Sequence, residues 1–284
     1  MIDLIVSQSR VGDRAARMIE GATRTAHALE NCYGLKGNYI GTIAAPAVND
    51  DWSVSLPQAR ETLVGLGQAI AESVKGSNLT VMIANTCSAS LASLPIVARE
   101  YPDAVVLYID AHGDFNTPET TDTGYLGGMV LSAACGLWDS GHGAGLRPQQ
   151  AILIGARDID RAERDMLRTA GVRIIPPAQA TAENILKAID GSRVWIHIDW
   201  DVLEPGFVPA DYQVPDGMLP AQIRAIFESI PPAQILGVEL AEFNAPADDD
   251  SVDKAVSIIL DMVAPAFRAR AGRIGRLAGA ERIL

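Results

Sequence analysis

Eight short apolar runs punctuate this chain, and between them lie stretches whose apolar residues recur at three- and four-residue intervals, so strands alternate with helices from end to end. The runs are Ile2–Val6, Tyr39–Ala44, Leu79–Ala84, Ala104–Ile109, Ala151–Gly155, Val172–Ile175, Val194–Ile198 and Ile235–Leu240. Strands apolar on both faces must be covered on both sides. The pattern therefore predicts a three-layer α/β fold around a mixed, mostly parallel sheet of roughly eight strands. Pro57–Lys75 is the clearest helix, with Ala59, Leu63, Leu66, Ile70 and Val74 on one face, Pro57 suited to its first turn and Gly76 to its exit. In such sheets ligands bind beyond the carboxyl ends of the strands, so polar residues there carry the functional information.

With 284 residues, 48% hydrophobic, and no linker or repeat, the chain is expected to form one domain over residues 1–284. No apolar run reaches the roughly 18 residues of a membrane span, and the start Met1-Ile2-Asp3-Leu4 lacks the charged region of a signal peptide, so a cytoplasmic protein is expected. Cys32, Cys87 and Cys135 are too few and too widely spaced for a disulfide framework or a structural zinc site. A net charge of −12 argues against a nucleic-acid partner and is compatible with a small cationic substrate.

Two of the runs end in acidic clusters. Val105–Ile109 leads into Asp110-Ala111-His112-Gly113-Asp114-Phe115-Asn116, and Val194–Ile198 into Asp199-Trp200-Asp201. Alternate residues of an extended chain share a face, so Asp110, His112 and Asp114 converge, as do Asp199 and Asp201. Buried carboxylates at this density must take up protons or bind a cation. Oxygen ligands with some imidazole favour a hard divalent ion such as manganese, and bridging carboxylates allow two ions about 3.5–4 Å apart to share an activated water. A lone Asp-x-Asp reads more simply as an exposed strand edge; two such clusters, each after a buried strand, do not.

These segments, with Gly155-Ala-Arg-Asp-Ile-Asp160, Asp199-Trp-Asp-Val-Leu-Glu-Pro205 and Glu239-Leu-Ala-Glu242-Phe-Asn, resemble the arginase and agmatinase (ureohydrolase) family in order and spacing over nearly the whole chain. The resemblance implies an arginase-like fold and a binuclear manganese hydrolase of linear amidines. It also implies a small guanidino amino-acid substrate and a homo-oligomeric assembly. By position, Asp110 and Asp199 would bridge two Mn2+ ions, His112 and Asp201 would bind one, and Asp114 the other. Asn116 and Thr123 would face the substrate α-carboxylate and Asp160 its α-ammonium, although Asp160 also suits the N-cap of a helix over Arg161–Thr169. Glu242 would face the guanidinium, and Asp110, Asp199 and Glu242 would carry catalysis.

Two departures stand out. Ala84-Asn85-Thr86-Cys87-Ser88 replaces the family's Gly-Gly-Asp-His, placing Cys87 where a histidine ligates; as a softer ligand it would hold its ion weakly, or it is simply a small buried residue. In Thr123-Gly-Tyr-Leu-Gly127-Gly128, Gly127 replaces the histidine regarded as a proton shuttle. Both departures resemble the branch that cleaves Nω-hydroxy-L-arginine to hydroxyurea and L-ornithine for antibiotic biosynthesis. The competing readings are an arginase or another guanidino or formimino hydrolase, and an inactive relative that binds an amino acid or a metal. Of the other histidines, His197 reads as a donor to a metal-bound carboxylate or as a hydrogen-bonded core residue, and His142 and His27 as surface residues.

Overall fold

The computed structural model describes residues 1–42 and 46–271. Its strands are β1 (Ile2–Ser7), β2 (Gly37–Ile40), β3 (Leu79–Ile83), β4 (Val105–Ile109), β5 (Ala151–Ile154), β6 (Arg173–Ile175), β7 (Val194–Asp199) and β8 (Ile235–Ala241). They form one eight-stranded sheet in the order β2-β1-β3-β8-β7-β4-β5-β6. Every pairing between neighbours is parallel, where a mixed sheet was expected. The reason is connectivity: each link crosses a face of the sheet, usually as a helix, and returns the chain in the same direction. All eight predicted runs form strands. The second begins two residues earlier than its apolar content indicates, and residues 43 and 44 of that expectation lie outside the described residues.

The helices are α1 (Met18–Tyr33), α2 (Trp52–Lys75), α3 (Ser90–Glu100), α4 (Val130–Ala134), α5 (Arg161–Ala170), α6 (Ala182–Ile189), α7 (Pro220–Ser229) and α8 (Asp249–Ala271). Along each strand the side chains alternate between two cores. Leu4, Val81, Leu107 and Ile196 meet α1, α6, α7 and α8, while Ile5, Met82, Val106 and Trp195 meet α2, α3, α4 and α5. Helix α2 starts five residues before the predicted position. Asp51 accepts a hydrogen bond from Ser53 N as its N-cap, and Trp52 and Leu56 add contacts to the second core. Pro57 thus lies inside the helix, where it cannot donate to the Ser53 carbonyl. Gly76 ends the helix as predicted. Among the described residues, no helix is long and apolar enough to cross a membrane.

Candidate metal centre

The central strands β3, β8, β7 and β4 are neighbours, and the segments leaving their carboxyl ends supply Cys87, Glu242, Asp199 with Asp201, and Asp110 with His112 and Asp114. Asp110, Asp114, Asp199, Asp201, Glu242 and Cys87 are buried, and His112 is half-buried. A backbone lattice holds the carboxylates. His112 N donates to Asp110 Oδ1 at 2.7 Å, Asp201 N to Asp199 Oδ1 at 2.8 Å, and Ala111 N to Asp201 Oδ1 at 3.1 Å. Ligand atoms of Asp110, His112 and Asp201 lie within 4.8 Å of one another, as do those of Cys87, Asp199 and Glu242, and those of Cys87, Asp110 and His197. Asp114 stands outside these groups. Its Oδ2 accepts the Tyr108 phenol at 2.6 Å, and its backbone is left-handed, with φ 48°. Glu242 shares that conformation, with φ 66°. Non-glycine residues seldom adopt it, which puts backbone strain at two of the predicted site residues.

Burial pushes the carboxyls of Asp199 and Asp114 well above their ordinary range, reinforced by Asp201 at the first and Asp110 at the second. Glu242 is pushed up to about 8, chiefly by burial. Burial also opposes ionisation of Asp110, but the hydrogen bond and charge of His112 outweigh it and hold that carboxyl below its usual range. The Cys87 thiol is raised by burial and then by the charges of Asp199 and Glu242. Buried acids gathered this closely are compensated either by protons or by a cation. Asp110 Oδ2 and Asp201 Oδ2 are buried and accept no hydrogen bond, although the latter lies 2.9 Å from His112 Nδ1. Orphaned oxygens beside an imidazole and a thiol fit a divalent cation.

Cys87 lies at the start of a short 3-10 turn, with its N–H on Glu242 Oε1 at 2.8 Å and its Sγ 3.3 Å from both Asp199 Oδ2 and His197 Nε2. His197 is fully buried and stacks on Tyr108 with ring centroids 4.2 Å apart. Its Nδ1 lies 2.9 Å from Glu239 Oε2, and Glu239 also accepts from Ser90 Oγ and Trp195 Nε1. Burial disfavours the Glu239 carboxylate, but its bond to His197 wins and holds it below its ordinary range. His197 is thus the hydrogen-bonded core residue of the second reading; its ring nitrogens reach the Cys87 thiol and Glu239 rather than a carboxylate of the acidic clusters. From the sequence, Glu239 is named only as part of the segment that carries Glu242 and is given no role, although a charged residue inside the apolar run Ile235–Leu240 was the available signal.

Above this floor opens a cavity of about 250 Å³ lined by Cys87, His112, Asp114, Asp199 and Glu242, and by Asn116, Thr123 and Asp160. Asp110 and Asp201 are not part of its lining. A larger cavity of about 410 Å³ beside α1 contains none of the predicted residues. Asp160 is the N-cap of α5, accepting from Glu163 N at 2.8 Å, while its other oxygen accepts Asn116 Nδ2 at 2.9 Å. The capping role and the position in the cavity are therefore compatible. Asn116 is half-buried and Thr123 and Asp160 are exposed, so this trio marks the mouth, while Cys87 and Glu242 mark the floor. Two residues beyond the predictions shape the cavity: Tyr125, whose phenol donates to Glu242 Oε1 at 3.0 Å, and Tyr212, packed edge-on to His112. Gly155, in the matching Gly-Ala-Arg segment, has φ +91°, and a Cβ there would lie 2.4 Å from Val202, in the 3-10 turn that also holds Asp201. His27 is exposed as predicted, whereas His142 is half-buried rather than exposed, and its pKa is lowered by burial and by Arg60. All three cysteines are free.

An all-parallel three-layer sheet carrying acids, imidazoles and a thiol at its carboxyl edge is the arrangement of a metal-using hydrolase. Residues 7–264 match the arginase family, and the chain belongs to it, as a hydrolase of carbon–nitrogen bonds. Over 273 residues it is 72% identical to the Nω-hydroxy-L-arginine amidinohydrolase of Streptomyces lavendulae, covering 96% of this chain and 100% of that protein. It is 26% identical to the arginase of Bacillus caldovelox, over 69% of this chain and 71% of that one. The crystal structure of Entamoeba histolytica arginase with L-ornithine superposes with a TM-score of 0.81 at 20% identity, covering 94% of this chain and 98% of that one, which is a likeness of fold.

Proposed function

We propose that this chain hydrolyses Nω-hydroxy-L-arginine to hydroxyurea and L-ornithine, using two manganese ions held at the carboxyl edge of the sheet. The observation that carries this reading is the 72% identity, along the whole length of the relative, to an amidinohydrolase named for that substrate. Asp110 and Asp199 would bridge the ions, with His112 and Asp201 completing one ligand set and Asp114 and Cys87 the other. When bound, the ions supply Lewis-acid chemistry and lower the pKa of water. Adding water to the guanidino carbon and breaking its bond to the side-chain nitrogen releases the two products. Asn116 and Asp160 offer an amide donor and a carboxylate at the mouth, matched with Thr123 to an α-carboxylate and an α-ammonium. Glu242 on the floor matches the planar N–H donors of the guanidino group. Separate anchors at the two ends of the cavity hold the reacting carbon above the cluster, which lowers the entropic barrier.

Two features favour the hydroxylated substrate over arginine. The cavity has Gly127 where other family members are taken to carry a shuttle histidine, and an N-hydroxyl group makes the guanidino group less basic, so its neutral form needs less proton management. The same reading makes residues 1–284 one catalytic domain acting in the cytoplasm on a small amino acid, in the supply of hydroxyurea for antibiotic synthesis. Sedimentation tests for a homo-oligomer. The deciding experiment is a product assay on chelated and manganese-reloaded protein with Nω-hydroxy-L-arginine, L-arginine and agmatine. Hydroxyurea release that is lost on chelation and restored by manganese supports the reading. Full activity in metal-free protein, or a higher kcat/KM for arginine, overturns it.

A further inference from the structure

Gly127 is buried in a 3-10 turn without a positive φ, so its backbone does not require glycine. The space around it does. A Cβ at this position would lie 2.5 Å from Tyr125 Cε1, 2.8 Å from Cζ and 3.1 Å from the phenol oxygen. The ring of Tyr125 therefore fills the place into which a side chain at 127 would grow. It is clamped there from two sides. Its hydroxyl donates to Glu242 Oε1, and the Arg14 guanidinium lies 4.8 Å over its centroid, itself held by the carbonyls of Asp50 and Thr123.

We propose that Tyr125 is a specificity-determining residue whose phenol O–H reads the N-hydroxyl oxygen of the substrate, and that the loss of a side chain at Gly127 makes room for it. The inference rests on the function proposed above. The Oε1 atom of Glu242 accepts from both the Cys87 N–H and the Tyr125 O–H, which puts the phenol at the floor of the cavity, where the guanidino group must lie. Burial, with the neighbouring charge of Glu242, pushes the phenol well above its ordinary pKa, so it remains a donor. A guanidinium has N–H donors and no acceptor, so arginine can bond the other oxygen of Glu242 but offers nothing to the phenol, which keeps its bond to Oε1. The hydroxyl oxygen of an N-hydroxyguanidine accepts the phenol O–H. The hydroxylated substrate thus gains a bond in the site that arginine cannot make, and the site favours the compound that carries the hydroxyl.

The test compares wild type and Tyr125→Phe, both manganese-loaded, on Nω-hydroxy-L-arginine and L-arginine. The dissociation constant of L-ornithine monitors the amino-acid end. We expect kcat/KM for the hydroxylated substrate to fall by about 10–100-fold, activity on arginine to hold or rise, and ornithine binding to stay within about twofold. Equal loss on both substrates, or an unchanged ratio, overturns the assignment. If the wild type turns over neither compound the functional reading fails, and calorimetric binding of the two compounds to wild type and Tyr125→Phe still decides the role of the phenol. A second measurement needs no substrate. Gly127→Ala should lower Tm in the wild-type background and much less in a Tyr125→Ala background, whereas equal losses in both would show that the ring does not occupy this space.

Discussion

Removing the metal should reverse the usual effect of mild acid on this protein: the metal-free chain should be more stable at pH 5 than at pH 8. A carboxyl whose folded pKa lies above its unfolded value contributes stability that is present below the unfolded pKa and lost as pH rises toward the folded one. Glu242, raised from 4.5 to about 8 by burial, and Glu163, raised to about 7 by burial, both cross that range. At about 1.4 kcal/mol per pH for each proton of difference, Glu242 costs the folded state about 3–4 kcal/mol between pH 5 and 8, and Glu163 about 2–3 kcal/mol. The raised carboxyls of Asp114 and Asp199 act in the same direction. So does His112: burial opposes its charge, but Asp110 and Asp201 outweigh burial and raise it, and that stabilisation fades above its ordinary value. Asp110, held low, acts in the opposite sense, but only below its ordinary value of 3.8. The expected loss is a large share of the roughly 5–15 kcal/mol that holds a typical domain together. Urea unfolding of chelated protein at pH 5, 6, 7 and 8 should give a midpoint that falls with pH. Saturating manganese should raise the midpoint most at pH 8. A metal-free midpoint that is flat or rises over this range would refute the argument, because the cluster would then have some other compensation.

Cys87→His should raise manganese content, measured by elemental analysis after dialysis, because a neutral imidazole adds no charge to an anionic shell and matches the ion better than a thiolate. Unchanged content would place Cys87 outside the ligands. Gly155→Ala should cost more than about 2 kcal/mol in urea unfolding, since it combines a left-handed backbone with a clash against Val202. Gly127→His alone should lower Tm and activity together, while in a Tyr125→Ala background it should be tolerated and narrow the preference for hydroxyarginine in kcat/KM.

The apolar runs specified all eight strands because burial on both faces leaves so little freedom of composition. The acidic clusters were legible for a related reason: carboxylates directly after a buried strand need a compensating charge. Pairing order was not legible. Nothing local in Ile235–Leu240 says that it inserts between β3 and β7, and so nothing local says that Glu239 meets His197 or that Glu242 meets Cys87 and Tyr125. Pro57 misled the reading of α2 because a helix can give up one hydrogen bond when Trp52 and Leu56 gain contacts with the core. Tyr125 passed unnoticed because an aromatic residue in a polar loop has many ordinary explanations; its meaning depends on a ring that abuts Gly127.

The position of β8 also governs how the molecule can come into being during synthesis. Among the described residues, the strands β2, β1 and β3 are joined to the rest of the sheet only through β8, the last of the eight strands, which bonds β3 on one side and β7 on the other. Until Ile235–Ala241 leaves the ribosome, the other strands can pair in this order only as two separate sets, and β3, buried along its whole length in the finished sheet, would be an open edge of one of them. Insertion of a central strand from so far along the chain is a long-range event of the slow kind. A chain that stalls before Ile235 therefore exposes two sticky edges and has no complete site, because Cys87 meets Asp199 and Glu242 only when the wedge is driven home.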